Sequence, residues 1–97
     1  METQVLTLII PDEKDIERAK DMYNRQSRDQ MGANIRRIKD PLKVAKRYVA
    51  YTQISGFTHS DFEYHLIHLV GKESELYKQT MHTLQVLNEE RKRKEEA

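Results

Sequence analysis

The sequence predicts a mainly α-helical protein, with one N-terminal β-strand followed by four helices. Three observations lead to this fold class. Apolar residues recur at helical spacing over most of the chain, which is the pattern of amphipathic helices. Gly and Pro occur only between the predicted elements, where they begin or end helices. The one largely uninterrupted apolar run, Val5–Ile10, precedes Pro11 and indicates a strand. A chain of 97 residues is expected to form one domain.

The predicted strand covers residues 4–10 and is largely apolar on both faces, because apolar side chains occupy successive positions. A strand leaves unpaired backbone N–H and C=O groups along its edges, so it needs a partner strand. No second strand is predicted in the chain. We therefore expect the strand to pair with its counterpart in a homodimer, or to lie against the helices in a monomer.

The first predicted helix covers residues 12–30, with Gly32 as its C-terminal cap. Residues 26–30 are polar throughout and are expected to form the exposed end of this helix or a frayed loop. Acidic residues follow Pro11, and the positive end of the helix dipole favours such residues in a first turn. Residues 34–40 are expected to form a short helical turn or a basic loop. The second helix begins at Pro41 with Asp40 as its N-cap and ends at Gly56. Its buried stripe is predicted to include Leu42, Ala45, Tyr48 and Val49.

The third predicted helix begins at about residue 61, because Ser60 and Glu63 have the spacing of a capping box. It ends at Gly71, and a fourth helix follows from Glu73. Leu66 and Leu84 lie in the middle of the apolar stripes of these two helices and are predicted to be core residues. Residues 91–97 are highly charged and are expected to fray into solvent.

The composition indicates a cytoplasmic protein with a small core. Hydrophobic residues make up 37% of the chain and charged residues 34%, a balance that suits helices with solvated outer faces. Cys is absent, which excludes disulfides and thiolate metal sites. No apolar run is long enough to span a membrane, so we expect no membrane partner. The N-terminal apolar run is too short for a signal peptide, and Glu2 stands where such a peptide has basic residues.

Basic residues are concentrated in one part of the chain. Residues 34–59 contain six bases and only one acid, Asp40. The six candidate nucleic-acid-binding residues are Arg36, Arg37, Lys39, Lys43, Lys46 and Arg47. Clustered Lys and Arg are typical of phosphate-binding surfaces. The opposing interpretation is a solvated helix face balanced by the acidic residues of 60–90. A second basic run, Arg91 to Lys94, is a competing site.

Two known DNA-binding arrangements partly match the predicted order of elements. The order of strand, Pro, helix, Gly and helix resembles ribbon-helix-helix dimers, in which paired strands enter the major groove. This strand has no polar face to contact bases, however, and two further helices follow. Residues 41–55 and 61–70 have the spacing of a helix-turn-helix. The helix of residues 61–70 would be the recognition helix, but its first turn is acidic. An ordinary α-hairpin is therefore favoured.

Enzymatic and metal-binding patterns are weak. His65 and His68 are three residues apart and Asp61 lies one turn earlier, but no HExxH motif is present. There is no Gly-rich phosphate loop, and Ser60 beside His59 is explained by helix capping. We expect no catalytic residue, no metal and no cofactor. The sequence therefore favours a non-enzymatic, nucleic-acid-associated regulator. The alternative is a protein-interaction module, such as an adaptor, inhibitor or assembly factor. Such a module would act through an apolar helix face or the strand edge.

Overall fold

In the computed structural model, which describes residues 7–96, the chain folds into five α-helices. These are α1 (Glu13–Arg25), α2 (Arg28–Arg36), α3 (Pro41–Ser55), α4 (Ser60–Val70) and α5 (Glu75–Glu96). The mainly helical fold class is confirmed. None of the described helices combines the length and the apolar character needed to cross a membrane.

The predicted N-terminal strand is not confirmed. Residues 7–10 have no regular secondary structure, and residues 4–6 lie outside the described part of the chain. The backbone N–H of Ile9 donates a hydrogen bond to Thr83 Oγ1 of α5 at 2.9 Å, and the Ile9 side chain is buried. A side-chain hydroxyl therefore satisfies this N–H without any partner strand.

The first predicted helix is two helices, separated at Gln26 and Ser27. Ser27 is the N-cap of α2, and its Oγ accepts the N–H of Gln30 at 3.3 Å. Gln30 Oε1 in turn accepts the N–H of Ser27 at 3.1 Å, which completes a capping box. Gly32, expected to end the first helix, is buried within α2.

The central helix of the fold is α3, against which α1, α4 and α5 all pack. Val44, Ala45, Tyr48 and Val49 are almost completely buried as a result. The predicted ends are confirmed: Asp40 Oδ1 accepts the N–H of Leu42 at 3.0 Å, and the helix ends at Gly56, the C-cap residue. The prediction that Leu42 is buried is wrong, because its side chain is 44% exposed.

The N-cap of α4 is His59, so the capping box predicted for Ser60 and Glu63 is wrong. His59 Nδ1 accepts the N–H of Asp61 at 3.3 Å. Glu63 Oε1 instead accepts the hydroxyl of Tyr77 at 2.9 Å, which joins α4 to α5.

The last helix, α5, continues through the charged C-terminal run. Residues 91–96 are helical, so the expected fraying is wrong for them, and Ala97 lies outside the described residues. The predicted core positions Leu66 and Leu84 are 0% and 5% exposed, which confirms the helical phase of α4 and α5.

Candidate nucleic-acid interface

Residues from α1, the α2–α3 connection and the first half of α3 line a groove of about 650 Å³, here called the basic groove. Five of the six predicted basic residues line it: Arg37, Lys39, Lys43, Lys46 and Arg47. Lys14 and Arg18 of α1 complete the set. The packing of α1 on α3 thus extends a basic sequence segment into a two-sided basic surface.

Three carboxylates share the basic groove, which leaves a local excess of four positive charges over the seven bases. Asp12 Oδ1 accepts the N–H of Asp15 at 2.9 Å, and Asp15 Oδ2 accepts the N–H of Asp12 at 3.3 Å. The hydrogen bond from the Asp15 backbone lowers the pKa of Asp12. The third acid, Asp40, caps α3. These acids hold helix ends, and their oxygens are partly occupied by backbone donors.

Among the described residues, no base of the basic groove has a carboxylate oxygen within 4.0 Å. The two side-chain pairs at such distances lie elsewhere, at Arg25–Asp21 and His59–Asp61. The acidic residues of 60–90 do not line the groove. Its positive charge is therefore not neutralised by direct ion pairs within residues 7–96.

Three arginines, Arg18, Arg37 and Arg47, line both the basic groove and an adjoining groove of about 360 Å³. Arg47 is half-buried, and its Nε is buried without a hydrogen-bond partner among the described residues. Burial lowers the pKa of Arg47, and the charge of Arg18 lowers it further. A buried donor of a charged group that lacks an acceptor is costly to the fold.

Arg47 is half-buried, and the charges of Arg18 and Asp15 in α1 act on its pKa. Lys43 is exposed and Lys46 is half-buried. The three bases that α3 contributes to the groove therefore differ in exposure.

Arg36, the sixth predicted residue, lies apart from the basic groove. It lines a second groove of about 350 Å³ with Asp61, Tyr64, His65 and His68, here called the Tyr64 groove. Lys39 lines both grooves and marks the place where they meet.

The α2–α3 connection that carries Arg37 and Lys39 is held by a histidine. His65 Nε2 donates to the carbonyl oxygen of Ile38 at 2.7 Å, since a carbonyl can only accept. No group of three His, Cys, Asp or Glu side chains in the described chain is arranged to hold a metal ion. His65 thus positions the basic connection.

Sequence reasoning missed Lys14, Arg18 and Tyr64. Lys14 and Arg18 are four residues apart, which places them on one face of α1. The sequence shows that spacing, but only the structure shows that α1 packs against α3. Tyr64 carries no local sequence signal, and only its position beside Arg36 and Lys39 distinguishes it.

A third groove, of about 460 Å³, lies between the end of α3 and α5, with Phe57, Met81 and Leu87 in its lining. Arg91 crosses this region, and its Nη2 donates to the carbonyl oxygen of Gln53 at 3.1 Å and to that of Thr52 at 3.4 Å. This groove is more apolar than the basic groove, and its arginine is already hydrogen-bonded.

Comparison with known proteins returned no significant match: no family model, no curated protein and no solved structure resembles the chain.

Proposed function

We propose that this protein is a non-enzymatic, nucleic-acid-associated regulator that holds the phosphate backbone in the basic groove. One observation carries the proposal: seven Lys and Arg side chains line this groove, and none has a carboxylate oxygen within 4.0 Å among residues 7–96. Phosphate oxygens are the acceptors that such a surface lacks.

The number of basic side chains that line the basic groove suits a polyanion. Lys39 and Lys43 are exposed, so their flexible ammonium groups can contact successive phosphates as point charges. The half-buried Arg47 adds its positive charge to the groove. Neutralising phosphates releases condensed counterions, and this release drives association.

Binding through this groove is expected to depend little on base sequence. Contacts to phosphate position a protein on nucleic acid without identifying the bases. The helix that would act as a recognition helix in a helix-turn-helix, α4, has Asp61 and Glu63 in its first turn. Negative charge at that position opposes entry into the major groove.

The salt dependence of binding tests this proposal. Fluorescence anisotropy of a labelled oligonucleotide should give an affinity that falls steeply between about 0.05 and 0.2 M salt. If the excess of four charges in the groove is fully engaged, the slope of log K against log salt is about −3 to −4. Absence of binding at about 0.05 M salt would contradict the proposal, because electrostatic contacts are strongest there.

A protein-interaction module is the second candidate, and the exposed apolar side chains favour it. Ile10 and Phe57 are each 75% exposed, and Leu8 is also exposed. Residues 4–10 were expected to mediate a homodimer, and Leu8 and Ile10 are available for such a contact. Light scattering at high micromolar concentration checks the dimer: twice the mass of 11.6 kDa supports it, and a monomer contradicts it. Apolar association would change little with salt.

A further inference from the structure

We infer that the nucleic acid held by the basic groove is single-stranded and stacks one base on the ring of Tyr64. The inference rests on the proposed function and specifies its substrate class. It begins from the exposure of Tyr64, whose side chain is 77% accessible on the surface of α4. Tyr64 forms no aromatic pair with another described residue.

The surroundings of Tyr64 are those of a stacking site for a charged strand. The Tyr64 groove also contains Arg36, Lys39 and His68. An aromatic face supplies a sequence-tolerant platform for a base, and adjacent Lys and Arg neutralise the phosphates on either side of it. No other strongly exposed aromatic side chain of residues 7–96 lines a groove that also contains two or more Lys or Arg side chains.

The position of Lys39 connects this platform to the basic groove. Its side chain lines both grooves, so a backbone that follows Lys43 and Lys39 continues directly to Tyr64. His65 fixes that junction through its hydrogen bond to the carbonyl of Ile38. The two grooves therefore form one continuous path, with phosphate contacts along most of it and an aromatic ring at its end.

Only a strand with unpaired bases can use the whole path. In a duplex, each base face is covered by its neighbours, and only ends or loops offer a face to an aromatic side chain. A duplex would contact the Lys and Arg side chains of the basic groove, but none of its stacked bases would lie on the ring of Tyr64.

Asp61 is the one acid that lines the Tyr64 groove. Its Oδ2 lies 3.0 Å from the position that a Cβ on Gly32 would occupy, so the carboxylate is directed at α2. Its charge still opposes a phosphate near Tyr64. Asp61→Asn keeps the shape and removes that charge, so it is expected to strengthen single-strand binding by about two- to fivefold at low salt.

The test compares single strands of about 12 nucleotides with a duplex of the same sequence, using the full chain and fluorescence anisotropy. RNA and DNA are tested separately. For either one, tighter binding of the single strand than of the duplex supports the inference. Tyr64→Ala should weaken single-strand binding about tenfold and leave the salt slope unchanged. Tyr64→Phe should retain most of the affinity, because the ring remains.

Phe57→Ala is the matched control, since Phe57 is as exposed as Tyr64 but lies in the groove between α3 and α5. It should leave the affinity unchanged. Lys39→Ala should lower the salt slope by about 0.7, as expected for one lost contact to a single strand. Circular dichroism of each variant establishes that the fold is retained.

Two results would overturn the inference. If Tyr64→Ala binds single strands as tightly as the unaltered protein, the ring does not stack on a base. If the duplex binds as tightly as the single strand at equal salt, the substrate class is wrong. In both cases a steep salt dependence would leave the proposed function standing, whereas no binding of any strand at about 0.05 M salt would remove both.

Discussion

Two basic segments of the chain, residues 36–47 and 91–94, are rich in Lys and Arg but have different surroundings. Arg91 donates hydrogen bonds to the carbonyl oxygens of Thr52 and Gln53 at the end of α3. Arg47, in the middle of the same helix, has a buried Nε without an acceptor among the described residues. Arg91 therefore stabilises the end of α3, whereas Arg47 has a donor that the fold leaves unsatisfied.

The difference follows from the polarity of α3. The last turn of a helix leaves carbonyl oxygens without intrahelical partners, and a cation nearby is stabilised by the negative end of the dipole. Arg91 finds such an acceptor in the carbonyl of Gln53, and it shares the carbonyl of Thr52 with the N–H of Gly56. In the middle of α3 the backbone carbonyls accept hydrogen bonds within the helix, so they are not open to Arg47. The role of a basic segment can thus be inferred only when the hydrogen-bond acceptors around its side chains are known.

The largest expected effect concerns the core that supports both regions. Leu66→Ala should lower the free energy of unfolding by about 2–5 kcal/mol, because the side chain is completely buried against the central helices. Urea denaturation followed by circular dichroism measures the loss. A change below about 0.5 kcal/mol would mean that Leu66 is not a core residue.

The next effect is a loss of stability at high pH through Tyr48, on the buried face of α3. Burial raises the pKa of Tyr48 from 10.0 to about 12. Above pH 10 the unfolded chain releases this proton while the folded protein keeps it, so stability is complete below pH 10 and falls toward pH 12. The loss is about 2–3 kcal/mol over that interval.

Tyr48→Phe provides the control, since the ring that stacks on Phe62 at 5.3 Å is kept and the titrating hydroxyl is removed. The variant should lose less stability than the unaltered protein between pH 10 and 12. Equal losses in the two proteins would show that Tyr48 does not titrate in this range.

A smaller effect is expected where Arg91 meets the end of α3. Gly56 has a φ of +81°, and the Arg91 guanidinium occupies the place that a Cβ on Gly56 would take. Gly56→Ala should cost about 1–3 kcal/mol from backbone strain and from displacing Arg91. Arg91→Ala alone should cost about 1 kcal/mol through the lost hydrogen bonds.

A double-mutant cycle distinguishes the two contributions to the cost of Gly56→Ala. In a chain that already carries Arg91→Ala, the substitution at Gly56 should cost less, because only the backbone strain remains. Fully additive costs would show that the two residues are not coupled.

Much of the helical framework could be predicted from single residues. Asp40 and Pro41 begin α3, and Gly56 ends it, because each has a local conformational reason to lie at a helix end. The break before α2 was missed although Ser27 and Gln30 have the spacing of a capping box. Residues 24–30 are all polar, so no apolar pattern marks where one helix ends and the next begins.

The failures of prediction were failures of tertiary context. An apolar run such as residues 4–10 favours a strand, but the hydroxyl of Thr83 accepts the N–H of Ile9, and the sequence gives no sign of that contact. Five of the six predicted basic residues line the basic groove. Arg18 and Tyr64, which line the two grooves with them, come from two other helices, and no local pattern connects them.

The most direct test of the account reverses charge on each basic segment and compares nucleic-acid binding. Lys39→Glu with Lys43→Glu alters the basic groove, and Lys92→Glu with Lys94→Glu alters α5. All four lysines are exposed, and each pair lowers the net charge by the same amount. At about 0.1 M salt, where distant charges are screened, the groove variant should lose about tenfold or more in affinity and the α5 variant less than about twofold. Equal losses, or a greater loss for the α5 variant, would contradict the assignment of the groove as the binding site.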